Sequence, residues 1–66
     1  MQITVNGNHR EAPDGLCLLD LLATLDLKPQ ATVVERNGTV VKRPDYPEIV
    51  LAEGDVLELI RFVGGG

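Results

Sequence analysis

The sequence predicts an α+β domain in which a mixed sheet of four to five strands packs on one helix, in the order ββαβββ. Three features predict this fold. Short strand-like segments occur near both ends of the chain, two Asn-Gly dipeptides separate pairs of them, and one leucine-rich stretch between them has helical spacing. The chain has 66 residues, and a chain this short buries only about 60% of the surface that its unfolded form exposes. We therefore expect one domain, residues 1–66, with a thin core.

The chain is predicted to begin with a β-hairpin. Residues 2–5 alternate polar and apolar side chains, which is the period of a half-buried strand. Asn6 and Gly7 follow, and this dipeptide favours a two-residue type I′ turn because both positions tolerate a positive φ. A second short strand is then expected over about residues 8–12.

A helix is predicted over residues 16–27, after the turn-forming Pro-Asp-Gly at 13–15. Four leucines at i, i+3, i+4 and i+7 form one apolar stripe along it: Leu18, Leu21, Leu22 and Leu25. The helix is expected to end at Lys28, because the residue before a proline is pushed out of the α region.

A second hairpin is predicted after the helix. Residues 32–36 and 39–41 are rich in β-branched side chains, and Asn37 and Gly38 between them repeat the tight-turn dipeptide. Residues 42–48 include two prolines and predict a loop with about one helical turn, anchored by Tyr46, whose ring is expected to lie on the core.

The longest and most apolar strand is expected at residues 56–63, after a short apolar connector at 49–51 and a turn at 53–55 in which Gly54 takes a positive φ. The helix has to cover one face of the sheet, since nothing else in the chain can bury its leucines. The first and last strands, joined through the helix, are then expected to lie parallel at the centre of the sheet. This arrangement is a β-grasp.

Composition excludes several classes of function. The formal net charge of −4 argues against a nucleic-acid partner and for a basic or mixed protein surface. Met1 leads straight into a strand pattern and no long apolar run occurs, so neither a signal peptide nor a membrane span is expected. A single cysteine suits a reducing cytoplasm.

No constellation of catalytic or metal-ligating residues is evident. His9 has no Cys, His or carboxylate cluster at useful spacing, so we interpret it as a solvated strand residue. Cys17 lies near the predicted helix start, and a reactive thiol at that position is one interpretation. A small, partly buried cysteine is the more frequent outcome.

The last strand and the glycines after it form the candidate site. Alternation places Leu57 and Leu59 toward the helix, and the other face then holds Glu58, Ile60 and Phe62. Exposed apolar side chains on an open sheet face suggest a partner surface, although one or two of them are normal in a small domain. The tail of three glycines, 64–66, is expected to be flexible. It is either a loose end or a segment that threads a tight slot in another protein.

The order of these elements resembles the ubiquitin-like carriers, and within them the ThiS family, the sulfur carriers of thiamine thiazole biosynthesis. The resemblance covers essentially the whole chain, through the segments DLLATLDL, VVERNGTVV, EGD and VLELIRFVGGG. The helix and the EGD turn are weakly specific alone, whereas their order with the terminal Gly-Gly is strongly specific for the carrier class.

The resemblance implies a carrier that is not itself an enzyme. An E1-like adenylating enzyme of the ThiF kind would use ATP and Mg²⁺ to activate the Gly66 carboxylate, and a persulfide donor would convert it to a thiocarboxylate. A ThiG-like thiazole synthase would then take the sulfur. Gly65 and Gly66 correspond to the family's diglycine, and Gly64 adds a third. No stably bound cofactor is expected, and neither a nucleic acid nor a membrane is an expected partner.

One departure from the family pattern and three alternatives stay open at this point. The family often has Ser or Thr at the helix cap, where this chain has Cys17. The small subunit of molybdopterin synthase shares the fold and the diglycine end, although those chains usually run longer. A ubiquitin-like modifier joined to lysines shares the activation chemistry. A β-grasp interaction module with an inert tail is the third alternative.

Overall fold

The computed structural model describes residues 1–62. Its regular elements are five strands, one α-helix and two short 3-10 helices at Pro29–Ala31 and Arg43–Glu48. In chain order the strands and the helix are β1 (Gln2–Val5), β2 (Asn8–Glu11), α1 (Leu18–Thr24), β3 (Thr32–Arg36), β4 (Thr39–Val41) and β5 (Val56–Arg61). The predicted order ββαβββ is confirmed.

The five strands form one mixed sheet in the order β2-β1-β5-β3-β4. Strands β1 and β5 are parallel, with Thr4 opposite Val56 and Val5 opposite Leu57. Every other pair is antiparallel, and β5 pairs along its length with β3, from Arg36 opposite Leu57 to Thr32 opposite Arg61. The predicted β-grasp, with its first and last strands parallel at the centre, is therefore confirmed.

Helix α1 packs its leucine stripe on one face of this sheet. Leu18, Leu21 and Leu22 are buried, as the helical spacing predicts. Leu25 is half-buried at the edge of the same cluster. The remaining apolar residues of the core come from the sheet and the loops: Ile3, Val5, Ala12, Val34, Tyr46, Leu51, Leu57 and Leu59.

The predicted bounds of the helix, 16–27, were wrong at both ends. The chain at Cys17 is extended and forms an isolated β-bridge with Val50, which holds back the helix start. At the other end Asp26 adopts a left-handed conformation with φ of 58°. The amides of Asp26 and Leu27 donate to the carbonyls of Ala23 and Leu22 at 3.0 and 2.8 Å, which is the Schellman pattern of helix termination.

Two further strand bounds differ slightly from prediction. Strand β2 ends at Glu11 rather than at Ala12, whose side chain is buried in the core. Strand β5 ends at Arg61, whereas the predicted strand ran to residue 63. The Phe62 amide still donates to the Ala31 carbonyl at 2.8 Å, so the chain continues alongside β3 for one more residue. Val63 lies outside the described residues.

The loop between β4 and β5 is anchored by Tyr46, as predicted. Its ring is buried, and its hydroxyl donates a hydrogen bond to the Thr32 carbonyl at 2.7 Å. This bond ties the 3-10 helix Arg43–Glu48 to the start of β3. Among residues 1–62, no helix has the length and apolar character needed to cross a membrane.

Candidate functional site: the central strand and its open face

Strand β5 leads toward the C-terminal glycines, and its inner face is fixed by the core. Leu57 is 0% exposed and Leu59 is 8% exposed. Both lie on the helix side, as the alternation predicted. The strand has a neighbour on each side, β1 and β3, so its position is set by two ladders and by core packing together.

The two turn asparagines hold β5 from opposite sides. Both Asn-Gly dipeptides form the predicted two-residue turns, with positive φ at Asn6, Gly7, Asn37 and Gly38. The Asn6 side chain accepts a hydrogen bond from the Leu59 amide at 2.8 Å and donates one to the Leu59 carbonyl at 3.3 Å. It thereby extends the parallel ladder after β1 has ended.

Asn37 plays the corresponding part at the start of β5. Its side-chain oxygen accepts from the Val56 amide at 2.9 Å, and its own amide donates to the Val56 carbonyl at 2.8 Å. Its side-chain nitrogen also donates to Asp55 at 3.0 Å. The two hairpin turns therefore do more than reverse the chain, because each one supplies hydrogen bonds to the central strand.

A buried carboxylate organises the turn before β5. Asp55 is 5% exposed, and its Oδ2 accepts from the Arg36 Nε at 3.0 Å and from the Ala52 amide at 2.9 Å. Burial alone would raise the pKa of this carboxyl. The Ala52 amide, the Asn37 side chain and the Arg36 guanidinium outweigh burial and hold the pKa of Asp55 below its ordinary value of 3.8. The ionised carboxylate is thus part of the folded structure.

The outer face of β5 is open. Ile60 is 50% exposed, Phe62 is 58% exposed, and Glu58 is exposed between the helix-facing leucines. The orientation that the alternation predicted is confirmed for Glu58 and Ile60, and Phe62, one residue past the end of β5, is exposed. Their role in binding a partner remains a prediction.

Neighbouring strands extend this face with residues that the sequence analysis did not identify. Val33 lies directly opposite Ile60, and Val40 lies opposite Glu35 on the same side of the sheet. Val56 and Val40 are exposed, and Val33 is half-buried. The signal was present in β3, because a buried Val34 forces Val33 and Glu35 outward. This signal places Val33 and Glu35 beside the exposed residues of β5 only when the pairing of β3 with β5 is also known.

Glu35 and Glu58 lie opposite one another on this outer face. Like charges directly across a pair of strands destabilise a sheet. Among residues 1–62, no Lys or Arg group comes within 4 Å of either carboxylate. Over β3, β4 and β5 this side of the sheet is therefore apolar with an acidic centre, and the name outer face is kept for that part: Val33, Glu35, Val40, Val56, Glu58 and Ile60.

His9 and Cys17 lie apart from each other. His9 is exposed on β2, and its Nδ1 is 3.4 Å from the Thr4 hydroxyl. Cys17 is half-buried at the start of the helix, and its side chain makes no capping hydrogen bond. The tail glycines 64–66 lie outside the described residues.

Comparison with known proteins places this architecture in a family. The model of the ThiS family matches residues 3–66. The sulfur carrier protein ThiS of Bacillus subtilis is 43% identical over 47 residues, which are 71% of each chain. A thiazole synthase of Magnetococcus marinus is 42% identical over the whole of this chain. The chain spans about a fifth of the length of the thiazole synthases that it matches.

A solved structure agrees with the sequence comparisons. The crystal structure of the thiamine biosynthesis protein ThiS from Geobacter metallireducens superposes with a TM-score of 0.84. The two chains are 32% identical, and each is covered completely by the other. By sequence, by architecture and by the strand that leads to its glycines, the chain belongs to the ThiS family.

Proposed function

We propose that this protein is a sulfur carrier of thiamine biosynthesis that works in the cytoplasm and holds its sulfur as a thiocarboxylate at Gly66. The observation that supports this most strongly is the position of β5. It is the central strand, it is bonded on both sides, and the sequence continues from it through Val63 into three glycines. The glycines thus follow, after Phe62 and Val63, a strand that is paired on both sides.

The chemistry needs only one group of this chain, the Gly66 carboxylate. A carboxylate resists nucleophiles because its charge and resonance oppose attack. An E1-like adenylating enzyme removes that resistance when a carboxylate oxygen attacks the α-phosphorus of ATP and pyrophosphate leaves, with Mg²⁺ held by the partner. The product is an acyl-adenylate, a mixed anhydride in which AMP is a good leaving group.

Sulfur transfer follows from the acyl-adenylate. The terminal sulfur of a persulfide attacks the Gly66 carbonyl carbon, and AMP leaves. A thiol must then cleave the sulfur–sulfur bond, so that the persulfide carrier departs as a disulfide and a thiocarboxylate remains. A thiazole synthase is the proposed acceptor, which is supported by the similarity of this chain to part of two proteins of that name.

The outer face of the sheet is the surface that we expect these enzymes to bind. Ile60 and Phe62 are exposed beside the root of the tail, and Glu58 and Glu35 place negative charge in the middle of the same face. An apolar face with an acidic centre suits a partner surface that combines apolar and basic side chains. A partner on this face would lie beside the end of β5, from which the sequence continues into the tail.

The adenylation step tests the proposal. The untagged protein is incubated with the E1-like enzyme, Mg·ATP and labelled pyrophosphate, and exchange of label into ATP is measured. Wild type should support exchange. Deleting Gly66, or adding one alanine after it, should abolish exchange and leave the melting temperature unchanged, because glycines bring no side chain to a core. Equal exchange with the deletion variant, or none with wild type, would refute the proposal.

A further inference from the structure

A small cleft lies where β5 ends, and Phe62 is the one residue that it shares with the exposed apolar residues Ile60 and Phe62 described above. It has a volume of about 250 Å³. It is lined by Asp26, Lys28, Ala31, Arg61 and Phe62. Two cations and one carboxylate therefore surround the point at which β5 ends, with an exposed aromatic ring beside them.

The charge of this cleft is opposite to that of the chain as a whole. The chain has a net charge of −4, yet Lys28 and Arg61 outnumber Asp26 here. A third cation is bonded to the residue after Lys28, since the Arg43 Nε donates to the Pro29 carbonyl at 3.0 Å. The ion pairs among residues 1–62 are Met1–Asp14 and Arg36–Asp55, so Lys28 and Arg61 have no carboxylate within 4 Å in that part of the chain.

The backbone beneath both cations is fixed. The Lys28 carbonyl accepts from the Thr32 hydroxyl at 2.7 Å and from the Ala31 amide at 3.0 Å. Arg61 lies opposite the buried Thr32, and the following amide, that of Phe62, donates to Ala31 at 2.8 Å. The backbone at Lys28 and at Arg61 is thus held by contacts with the same two residues, Ala31 and Thr32. A partner that binds the two cations therefore does not have to order their backbone, which lowers the entropy cost of binding.

Lys28 and Arg61 belong to the surface before the tail and not to the reacting group at Gly66. Gly66 is the fourth residue after Phe62, and four residues span at most about 14 Å when extended. Charges in solvent are largely screened beyond about 10 Å at 0.1 M salt. Lys28 and Arg61 would therefore act on the surface around the entrance that admits the tail, as positioning residues.

We propose that Lys28 and Arg61 dock on an acidic segment of the adenylating enzyme at the mouth of its tail-accepting channel, with Phe62 forming the apolar wall of the contact. This inference rests on the proposed function. Charge complementarity favours an acidic partner. The cleft has two cations and only one carboxylate, Asp26, so a carboxylate of the partner between Lys28 and Arg61 would balance the remaining positive charge. A basic segment would instead meet like charge.

The experiment compares two double variants in the pyrophosphate exchange assay with the E1-like enzyme. K28E/R61E reverses both cations of the cleft. R10E/K42E makes the same change in net charge at two exposed cations outside it. We expect the first to lower kcat/KM for the carrier by about tenfold, mainly through KM, because removing steering charge acts on association. The second should stay within about twofold of wild type, since its cations lie outside the contact.

Two further measurements decide the result. Wild-type KM should rise with salt, and K28E/R61E should lose most of that dependence. K28R/R61K should keep wild-type kinetics, and melting temperatures should show that every variant is folded. Equal effects of K28E/R61E and R10E/K42E on KM would overturn the cleft proposal while wild-type exchange continued. Absence of exchange with wild type would instead overturn the proposed function and this inference with it.

Discussion

The two faces of β5 belong to the same six residues but have opposite physical roles. On the helix side Leu57 and Leu59 are packed into the core, and on the other side Ile60 is half exposed, with no layer of residues 1–62 over it. A domain this small has a low free energy of unfolding. The part of an apolar side chain that stays in water does not add to that free energy. The difference indicates that one face is used for folding and the other is available for recognition.

A charged residue on the inner face of β5 should have the largest effect on the stability of the fold. Leu57→Asp places an unpaired carboxylate in the core, and such burial is among the most destabilising single changes. We expect the variant to be unfolded at 25 °C by circular dichroism. Ile60→Asp is the matched control on the outer face and should fold normally. A folded Leu57→Asp variant would show that the faces have been assigned the wrong way round, since a register shift of one residue exchanges them.

The buried carboxylate before β5 should have the next largest effect, and the effect should depend on pH. Asp55→Asn is expected to cost about 1–3 kcal/mol at neutral pH, because charge-assisted bonds are lost and a donor mismatch is created. The folded-state pKa of Asp55 is lowered, so its stabilisation is fully present above the unfolded-state pKa and is lost as pH falls through the folded-state pKa.

Urea unfolding at a series of pH values measures this. The gap in unfolding free energy between wild type and Asp55→Asn should be constant from pH 7 down to about pH 5 and should narrow below the ordinary value of 3.8. A gap that widened as pH fell would contradict the assigned sign. Glu48→Gln, at an exposed position before the turn, serves as the control.

Loss of the hydrogen bonds between the Asn6 side chain and Leu59 should have a smaller effect on the free energy of unfolding. Asn6→Gly keeps the positive φ that the turn requires but removes the two hydrogen bonds to Leu59. We expect a loss of about 1 kcal/mol in thermal or urea unfolding. Thr39→Ala, an exposed position after the other turn, is the control. An unchanged free energy of unfolding in Asn6→Gly would contradict this, since it would mean that water replaces the two hydrogen bonds to Leu59 without loss of stability.

Changes on the outer face should affect stability least and binding most. Ile60→Asp and Phe62→Asp should each change the unfolding free energy by no more than about 0.5 kcal/mol, as is usual for exposed sites. Each should weaken binding to the adenylating enzyme, measured by calorimetric titration, because an apolar contact is replaced by a charge. The assignment of this face to a partner would fail if both variants bound as tightly as wild type.

Local sequence patterns predicted most of the fold. The period of two located the faces of β5, and the Asn-Gly dipeptides located both turns, because each signal depends on neighbouring residues. The hydrogen bonds of Asn6 to Leu59 were not predictable in this way, since they join residues 53 positions apart. The helix end was misplaced for a related reason: Pro29 gives a strong stop signal, whereas an Asp in the left-handed position of a Schellman motif gives a weak one.

The site was predicted in part. Exposed residues on β5 followed from alternation, but Val33, Val40 and Glu35 join the outer face only through the pairing of β3 with its neighbours. The cleft at the tail root depends on where the helix ends and on where the 3-10 helix Pro29–Ala31 brings Lys28 relative to Arg61. Neither position can be derived from a short window of sequence.

The most direct test of the proposed function is tandem mass spectrometry of the C-terminal peptide. The protein is incubated with the E1-like enzyme, Mg·ATP, a persulfide donor and a thiol. The proposed function predicts that the peptide gains the mass difference between sulfur and oxygen, located at Gly66, and that it loses this gain when ATP is omitted. An unchanged peptide under complete conditions, or an isopeptide bond from Gly66 to a lysine in its place, would contradict it.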